Sequence, residues 1–311
     1  MATGTQGQRI SRWPGAVDLN PIIATVTPFT SSGHIDFAAV DAYLNFLHEA
    51  GVQAILVNGT TGEFANLTLA ERRQLLEHTR VRWPGQLIAH VGATALGDAV
   101  ALLEHSHEHA DAVAAISPYF YADPPGLRAY FSALLDRTEL PMLLYNFPRH
   151  TQALITPDLF GELASAYPLL VGIKDSGSDR AVTRAYVDTG LPVFVGSDGE
   201  AARIGELRAA GIVSGGGSPI PEVPVRIAAA LRNEDTETAE RWQSIFDQFR
   251  TLRQDSGLSD IAFAKAALSE RISGFPVTVR PPLVAASDTR IDDIRGYLRN
   301  KILPRIDEVD S

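Results

Sequence analysis

Residues 169–174 read Leu-Leu-Val-Gly-Ile-Lys, a short apolar run that ends at a charged side chain. A run of this kind is typical of a strand that is buried on both faces of a parallel sheet. Seven similar runs occur elsewhere in the chain, and segments of helical periodicity separate them. The eight predicted strands span residues 22–27, 54–57, 87–91, 112–117, 142–145, 170–174, 193–195 and 211–214.

Eight strands that alternate with helices predict an α/β protein with a (β/α)8 TIM barrel. Four helical segments follow the last strand with no further strand between them, so we expect a C-terminal helical extension. The predicted division is a flexible N-terminal arm at 1–18, the barrel at 19–232 and a helical bundle at 233–311. A doubly wound open sheet is the structural alternative, but the first strand lacks the glycine-rich turn of that fold.

The amino-acid composition limits the classes of binding partner and the cellular compartment that we expect for this protein. The 27 basic and 37 acidic residues give a net charge of -10, without a basic patch, which argues against nucleic acid and anionic membranes as partners. The absence of cysteine excludes disulfides, thiolate nucleophiles and Cys-ligated metals. No apolar run reaches the roughly 20 residues that cross a bilayer, and residues 1–18 lack the apolar core of a signal peptide. We therefore expect a cytoplasmic protein.

Lys174 is the most informative side chain at a predicted strand end, where barrel enzymes carry their reactive groups. The chain has three lysines among its 27 basic residues, and this one terminates a buried run. Desolvation there favours the neutral amine, which attacks carbonyl carbons as arginine cannot. Pairing with Asp175 is the structural alternative. We expect the other two lysines, Lys265 and Lys301, to be solvated on helices.

Two further strand ends carry groups that suit catalysis. Tyr145 could relay protons through its hydroxyl, or it could be a packed core tyrosine. The segment 59–63, Gly-Thr-Thr-Gly-Glu, offers hydroxyls and backbone N–H groups for a carboxylate or an oxyanion, although taken alone it could be an ordinary loop.

The combination of residues 59–63, 145–148 and 172–175 resembles the dihydrodipicolinate synthase and N-acetylneuraminate lyase family, over about residues 21–282. This resemblance implies a class I aldolase that needs no metal or cofactor and forms a homotetramer, a dimer of dimers. It implies that Lys174 forms a Schiff base with the keto group of pyruvate or another 2-oxo acid. Tyr145 would then be the general acid and base.

The resemblance also assigns binding roles. Thr60 would connect Tyr145 to the proton path, and Thr60 and Thr61, with the backbone at Gly59, would hold the substrate carboxylate. The remaining predicted substrate-binding residues are Gly196, Val213, Arg149 and His150.

Departures from the family patterns narrow the choice of member. In the dihydrodipicolinate synthase branch, an arginine occupies the position of His150 and a relay tyrosine occupies that of Phe120. Sialic acid lyases carry serine where this chain has Thr60. We therefore expect cleavage or dehydration of a 2-keto-3-deoxy sugar acid.

Several other functions stay open. Two are activities of the same family, namely 4-hydroxy-tetrahydrodipicolinate synthase, which condenses pyruvate with aspartate semialdehyde, and N-acetylneuraminate lyase. A non-catalytic 2-oxo-acid binding protein is the alternative from another class. A metal-dependent class II aldolase would need His and acidic ligands at the strand ends, and we find no such set.

A histidine-rich tract, residues 105–109, has the i and i+4 spacing of metal ligands. Ser106, however, stands where the zinc-protease pattern requires glutamate. The tract belongs to the third predicted helix of the barrel, away from the strand ends. We therefore expect no metal site from this pattern.

Overall fold

The computed structural model describes residues 19–310, so the predicted arm at 1–18 lies outside the described residues. Eight parallel strands pair in sequence order, and the eighth pairs with the first to close a barrel. The strands are β1 (Ile22–Ala24), β2 (Ala54–Val57), β3 (Gln86–His90), β4 (Ala112–Ile116), β5 (Met142–Asn146), β6 (Leu170–Asp175), β7 (Val193–Val195) and β8 (Gly211–Ser214).

Helices surround the barrel and extend beyond it. Those between strands are α1 (Phe37–Glu49), α2 (Leu69–Arg82), α3 (Leu96–His109), α4 (Pro124–Leu135), the one-turn α5 (Pro148–Thr151), α6 (Pro157–Ala166) and α7 (Arg180–Val187), with 3-10 turns at Phe64–Asn66 and Asp198–Arg203. After β8 come α8 (Glu222–Arg232), α9 (Thr236–Asp255), α10 (Asp260–Arg271), α11 (Asp288–Tyr297), a π-helical turn at Leu298–Ile302, and α12 (Leu303–Asp310). None of the helices described within residues 19–310 is long and apolar enough to cross a membrane.

The predicted TIM barrel with a C-terminal helical extension is confirmed. Each predicted strand is present, and the largest difference is at β1, which ends at Ala24 rather than at residue 27. Beyond that point the chain turns toward the loop after β2, where Thr27 Oγ1 donates a hydrogen bond to the carbonyl of Gly62. The boundary predicted at residue 232 stays a prediction.

Small and branched side chains, together with Phe194, fill the barrel interior, where alternate residues of each strand point inward. Ile22 and Ala24 of β1 share this inner cluster with Ala54 and Leu56 of β2. Ile23, between them, belongs instead to the large cluster that includes helix residues outside the barrel. The interior is therefore a packed core, and open space occurs at the ends of the strands.

The helix α10 is buried along most of its length, since every residue from Ala262 to Ser269 is buried. Ala264 and Leu268 join the main core, whereas Phe263 and Ala266 join the core of the C-terminal helices. A helix that is apolar on all sides is buried on all sides. The extension is therefore attached to the barrel by a shared helix, and α10 carries residues toward the strand ends.

Candidate active site

Lys174 and Tyr145 meet at the carboxyl ends of two neighbouring strands. The register of β5 and β6 pairs these residues directly. Lys174 is 6% exposed, and its Nζ atom lies 4.0 Å from the centroid of the Tyr145 ring. The amine is thus held against an aromatic face in a largely desolvated position.

Asp175 does not pair with Lys174. Its carboxylate accepts hydrogen bonds from Asn146 Nδ2 at 2.9 Å and from Thr183 Oγ1 at 2.6 Å. Among residues 19–310, Lys174 has no ion-pair partner. Its amine is therefore available to a substrate.

The hydroxyl of Tyr145 is held by the loop that follows β2. Tyr145 Oη and Thr60 Oγ1 lie 3.3 Å apart, at hydrogen-bond distance. The Tyr145 ring stacks on Phe147 at a centroid distance of 5.7 Å and meets the edge of His90 at 6.2 Å. These contacts fix the ring, so the phenol can exchange protons with Thr60 and with a group bound near Lys174.

The loop after β2 is a tight turn with two free backbone donors. The N–H groups of Gly62 and Glu63 donate to the carbonyls of Gly59 and Thr60. A side chain at Gly59 would come within 2.5 Å of Leu56 Cδ2, so a larger residue there would displace the buried Leu56 side chain. In the described part of the chain, the N–H groups of Thr60 and Thr61 have no acceptor. They can therefore bind an anion.

These groups open into one cavity of about 390 Å³. Eight of the nine predicted site residues line it, namely Thr60, Thr61, Tyr145, Arg149, His150, Lys174, Gly196 and Val213. The ninth, Gly59, does not line the cavity. It belongs to the turn itself, where its carbonyl accepts the hydrogen bond from the N–H group of Gly62. The structure therefore brings the predicted residues together.

The cavity also contains residues that the sequence analysis did not identify. Arg253 of α9 lines it with Asp198 and with Ser259 and Asp260 near the start of α10. The guanidinium of Arg253 lies 3.9 Å from Asp198 Oδ2 and 3.4 Å from Asp260 Oδ1, and it forms no hydrogen bond within residues 19–310. It retains donors for a ligand.

We call the part of the cavity lined by Arg149, His150, Asp198, Arg253, Ser259 and Asp260 its outer part, and burial sets the charges there. It raises the pKa of Asp198, while a hydrogen bond from Ser214 Oγ at 2.6 Å and the nearby Arg253 oppose the shift. Burial and then the neighbouring Arg149 lower the pKa of His150, which keeps its imidazole neutral at pH 7. Arg149 and Arg253 are therefore the cationic groups of the outer part.

Two buried basic residues lie behind Tyr145. Arg72 donates to the carbonyl of His90 at 2.6 Å and to that of Gly92 at 3.1 Å. Burial and then the charge of Arg72 hold the pKa of His90 well below its usual range. The His90 imidazole next to Tyr145 is therefore neutral.

Lys265 contradicts the prediction of a solvated helix lysine. It is fully buried, and its Nζ donates to Glu63 Oε1 at 2.5 Å and to the carbonyl of Thr278 at 2.8 Å. Burial lowers its pKa to about 8, against the opposing effect of Glu63. Helix α10 is enclosed by two cores, and for that reason this side chain cannot reach water. A single lysine within the run 262–268 of apolar residues was the available signal.

The Lys265–Glu63 ion pair connects the extension to the loop after β2. Glu63 ends the Gly-Thr-Thr-Gly-Glu segment in the left-handed conformation, with φ 57°. Its second oxygen accepts from the backbone N–H of Arg280 at 3.1 Å and from Asn66 Nδ2 at 3.3 Å. The turn that presents Thr60 and Thr61 is therefore fixed by three chain segments.

The position expected for a second relay tyrosine holds Phe120, which is 67% exposed and does not line the cavity. Its two sequence neighbours, Tyr119 and Tyr121, differ in burial. Tyr119 stacks on Phe64 at 6.2 Å, and burial raises its pKa to about 12. Tyr121 is 97% exposed. The loop after β4 thus presents two aromatic side chains to the surface.

Comparison with known proteins identifies the same family as the sequence motifs. A model of the dihydrodipicolinate synthetase family matches residues 19–301. A 4-hydroxy-tetrahydrodipicolinate synthase of Laribacter hongkongensis is 29% identical, over 89% of this chain and 97% of that protein. An uncharacterized DapA-like lyase of Pyrococcus abyssi is 27% identical, over 90% of this chain and 97% of that protein.

A solved structure is similar over the same length. YagE, a prophage protein of the dihydrodipicolinic acid synthase family from E. coli K12 whose crystal structure is in complex with pyruvate, superposes with a TM-score of 0.85. It is 26% identical, and the match covers 90% of this chain and 97% of that one. The similarity thus includes the barrel and most of the C-terminal helices.

The buried ion pair generates a stability prediction. Lys265→Met leaves the Glu63 carboxylate buried without its ammonium partner, so we expect the free energy of unfolding to fall by about 3–5 kcal/mol. Urea unfolding followed by circular dichroism measures this. The matched control is Lys301→Met, at an exposed lysine, which should change the value by less than about 0.5 kcal/mol. Equal stability of the two variants would contradict the assigned role of the pair.

Proposed function

Because the chain belongs to the dihydrodipicolinate synthetase family, we propose that it is a lyase in which Lys174 forms a Schiff base with the keto carbon of pyruvate or a longer 2-oxo acid. The observation that carries this proposal is the desolvated Lys174 amine, 4.0 Å from the Tyr145 ring centroid, beside the Tyr145–Thr60 contact. An amine nucleophile and a positioned proton carrier are the two groups that this chemistry requires.

The reaction follows from these groups. The amine of Lys174 adds to the keto carbon, and loss of water from the adduct gives an iminium. As a base removes the proton of the carbon 4 hydroxyl, the bond between carbons 3 and 4 breaks and its electron pair moves toward the iminium. The distal fragment leaves as an aldehyde, and an enamine remains on Lys174. Protonation of the enamine and hydrolysis release pyruvate and regenerate the amine. Tyr145 supplies and removes the protons, with Thr60 connecting its hydroxyl to the bound carboxylate.

The substrate carboxylate is assigned to the turn after β2. The N–H groups of Thr60 and Thr61 are free of other acceptors within the described chain, and the hydroxyl of Thr60 is adjacent. Binding there would place the keto carbon between Lys174 and Tyr145. Oriented backbone donors need no reorganisation when charge develops, which favours the reaction.

The outer part of the cavity supports a substrate longer than pyruvate. Its total volume of about 390 Å³ is typical of small-molecule sites and exceeds what pyruvate fills. Arg149, Arg253, Ser259 and Asp260 supply hydrogen-bonding groups that suit a hydroxylated tail. We therefore propose cleavage or dehydration of a 2-keto-3-deoxy sugar acid as the reaction.

Condensation of pyruvate with aspartate semialdehyde is the second candidate. The name of the Laribacter relative and the cationic Arg149 in the cavity favour it. His150 at the position of the branch's arginine and the exposed Phe120 at that of its relay tyrosine argue for the sugar acid instead. The products formed from each substrate would distinguish the two activities.

We also propose self-association and a cytoplasmic location. The exposed Phe120 and Tyr121 form an aromatic surface on the loop after β4, at the active-site end of the barrel. Exposed aromatic pairs of this kind suit a protein interface. This surface supports the homotetramer that the family resemblance implies, and the absence of cysteine supports the compartment.

Trapping tests the Schiff base. With pyruvate and borohydride, we expect mass spectrometry to find one reduced pyruvate adduct, on the peptide that contains Lys174. Lys174→Arg should abolish both the adduct and turnover while leaving the fold intact, because a guanidinium does not add to the keto carbon. Lys301→Arg is the control and should retain both. An adduct that persists in Lys174→Arg would refute the assignment, and trapping without any turnover would support a binding protein.

Removing the proton carrier should slow the chemical step. We expect Tyr145→Phe to lower kcat by roughly 100-fold or more, with little change in pyruvate affinity. Steady-state kinetics and pyruvate binding measure the two effects separately. Tyr167→Phe, at a tyrosine outside the cavity lining, should behave like the wild type. Near-wild-type turnover of Tyr145→Phe would assign the proton transfer to another group.

Specificity should depend on the outer residues. Arg253→Gln should lower kcat/KM for 2-keto-3-deoxy sugar acids by about tenfold or more, the loss expected for a charged hydrogen bond. Formation of the trapped pyruvate adduct should not change, since Arg253 would not contact pyruvate. Substitution of Arg149 and of His150 tests the same role at the other two residues. Arg241→Gln, at an exposed arginine of α9, is the control and should leave kcat/KM unchanged. Unchanged preference among substrates would remove these residues from the binding site.

A further inference from the structure

Helices α2 and α3 bring three metal-binding side chains together on the outside of the barrel. Glu77 belongs to α2, and His105 and His109 belong to α3. One ligand atom from each residue lies within 4.8 Å of the other two. None of the three lines the active-site cavity, so this cluster is separate from the proposed catalytic groups.

The geometry of the two imidazoles suits a shared ion. His105 and His109 are one helical turn apart, and their ring centroids lie 4.6 Å from each other. His105 Nε2 lies 3.2 Å from Glu77 Oε1. That nitrogen is buried, yet it forms no hydrogen bond of good geometry with any residue from 19 to 310. A buried polar atom left unsatisfied is costly, and a metal ion would satisfy it.

The third histidine of the tract is engaged elsewhere. His107 Nε2 accepts a hydrogen bond from the backbone N–H of Glu139 at 3.2 Å. His107 is therefore not a member of the cluster, although it lies between two residues that are. It offers a matched control within the same helix.

We propose that Glu77, His105 and His109 form a binding site for Zn²⁺, with water as the fourth ligand. Two imidazoles and one carboxylate are a known ligand set for this ion. Tetrahedral binding requires ligand atoms roughly 3.3 Å apart. The ligand atoms of this cluster lie up to 4.8 Å apart. The Glu77 side chain is 50% exposed, so it has room to move until these distances match those of tetrahedral binding.

The sequence pattern alone did not indicate this proposed site. The tract lacks a glutamate beside its first histidine, and for that reason the sequence predicted no metal there. The packing of α2 against α3 supplies the carboxylate from another helix. The ion would join the two helices and stabilise the folded protein, since a ligand that binds only the folded state raises its stability. Turnover would not depend on it.

Titration of the chelator-treated, dialysed full-length protein with zinc chloride tests the proposal. We expect saturable binding of one ion per chain by calorimetry and a higher thermal unfolding midpoint. Co²⁺ should give the intense visible absorption of a tetrahedral site. His109→Ala, at the partly exposed end of α3, and Glu77→Gln should each weaken Zn²⁺ binding by at least about tenfold.

His107→Ala should bind Zn²⁺ as the wild type does. His105→Ala removes a buried ring and could disturb folding, so His109→Ala and Glu77→Gln decide the outcome, after circular dichroism confirms that they fold. Absence of saturable binding would overturn the proposal. So would unchanged affinity in both variants, or an equal loss in His107→Ala. Turnover that survives chelation would show that the site is separate from the chemistry.

Discussion

The parallel register between β5 and β6 is the constraint on which the active site depends. It pairs Tyr145 with Lys174, so two side chains from distant points in the chain emerge at the same level of the barrel. Hydrogen bonds along both strands fix this register, and the barrel closure prevents the strands from sliding. The separation of amine and phenol is therefore a property of the sheet rather than of flexible loops.

A second constraint acts on the opposite wall. The turn after β2 holds Glu63 in a left-handed conformation, and its carboxylate is buried against Lys265. Burial of two charges is costly unless they pair, so the turn and helix α10 must fold together. The C-terminal extension thereby determines where Thr60 is held relative to Tyr145. It acts on the chemistry although it adds no strand to the barrel.

The barrel could be predicted from the sequence because a strand that is buried on both faces consists of a continuous run of apolar residues. Lys174 and Tyr145 were identifiable for the same reason, since each ends such a run. The burial of Lys265 was not predicted, because it depends on α10 lying between two cores. Arg253 was missed likewise, since helical periodicity does not show which turn of α9 reaches the cavity. The unpredicted contacts are those between elements far apart in the chain.

The cavity therefore has two parts that are built differently. Its inner end consists of strand termini and the tight turn after β2, where little can change without disturbing the barrel. Its outer end takes Arg149 from the segment after β5, and Arg253 and Asp260 from the extension. Substitutions in those segments leave the register of β5 and β6 intact. The proposed Schiff-base apparatus can thus serve substrates with different tails, because the residues proposed to bind the tail are not those that hold the strands together.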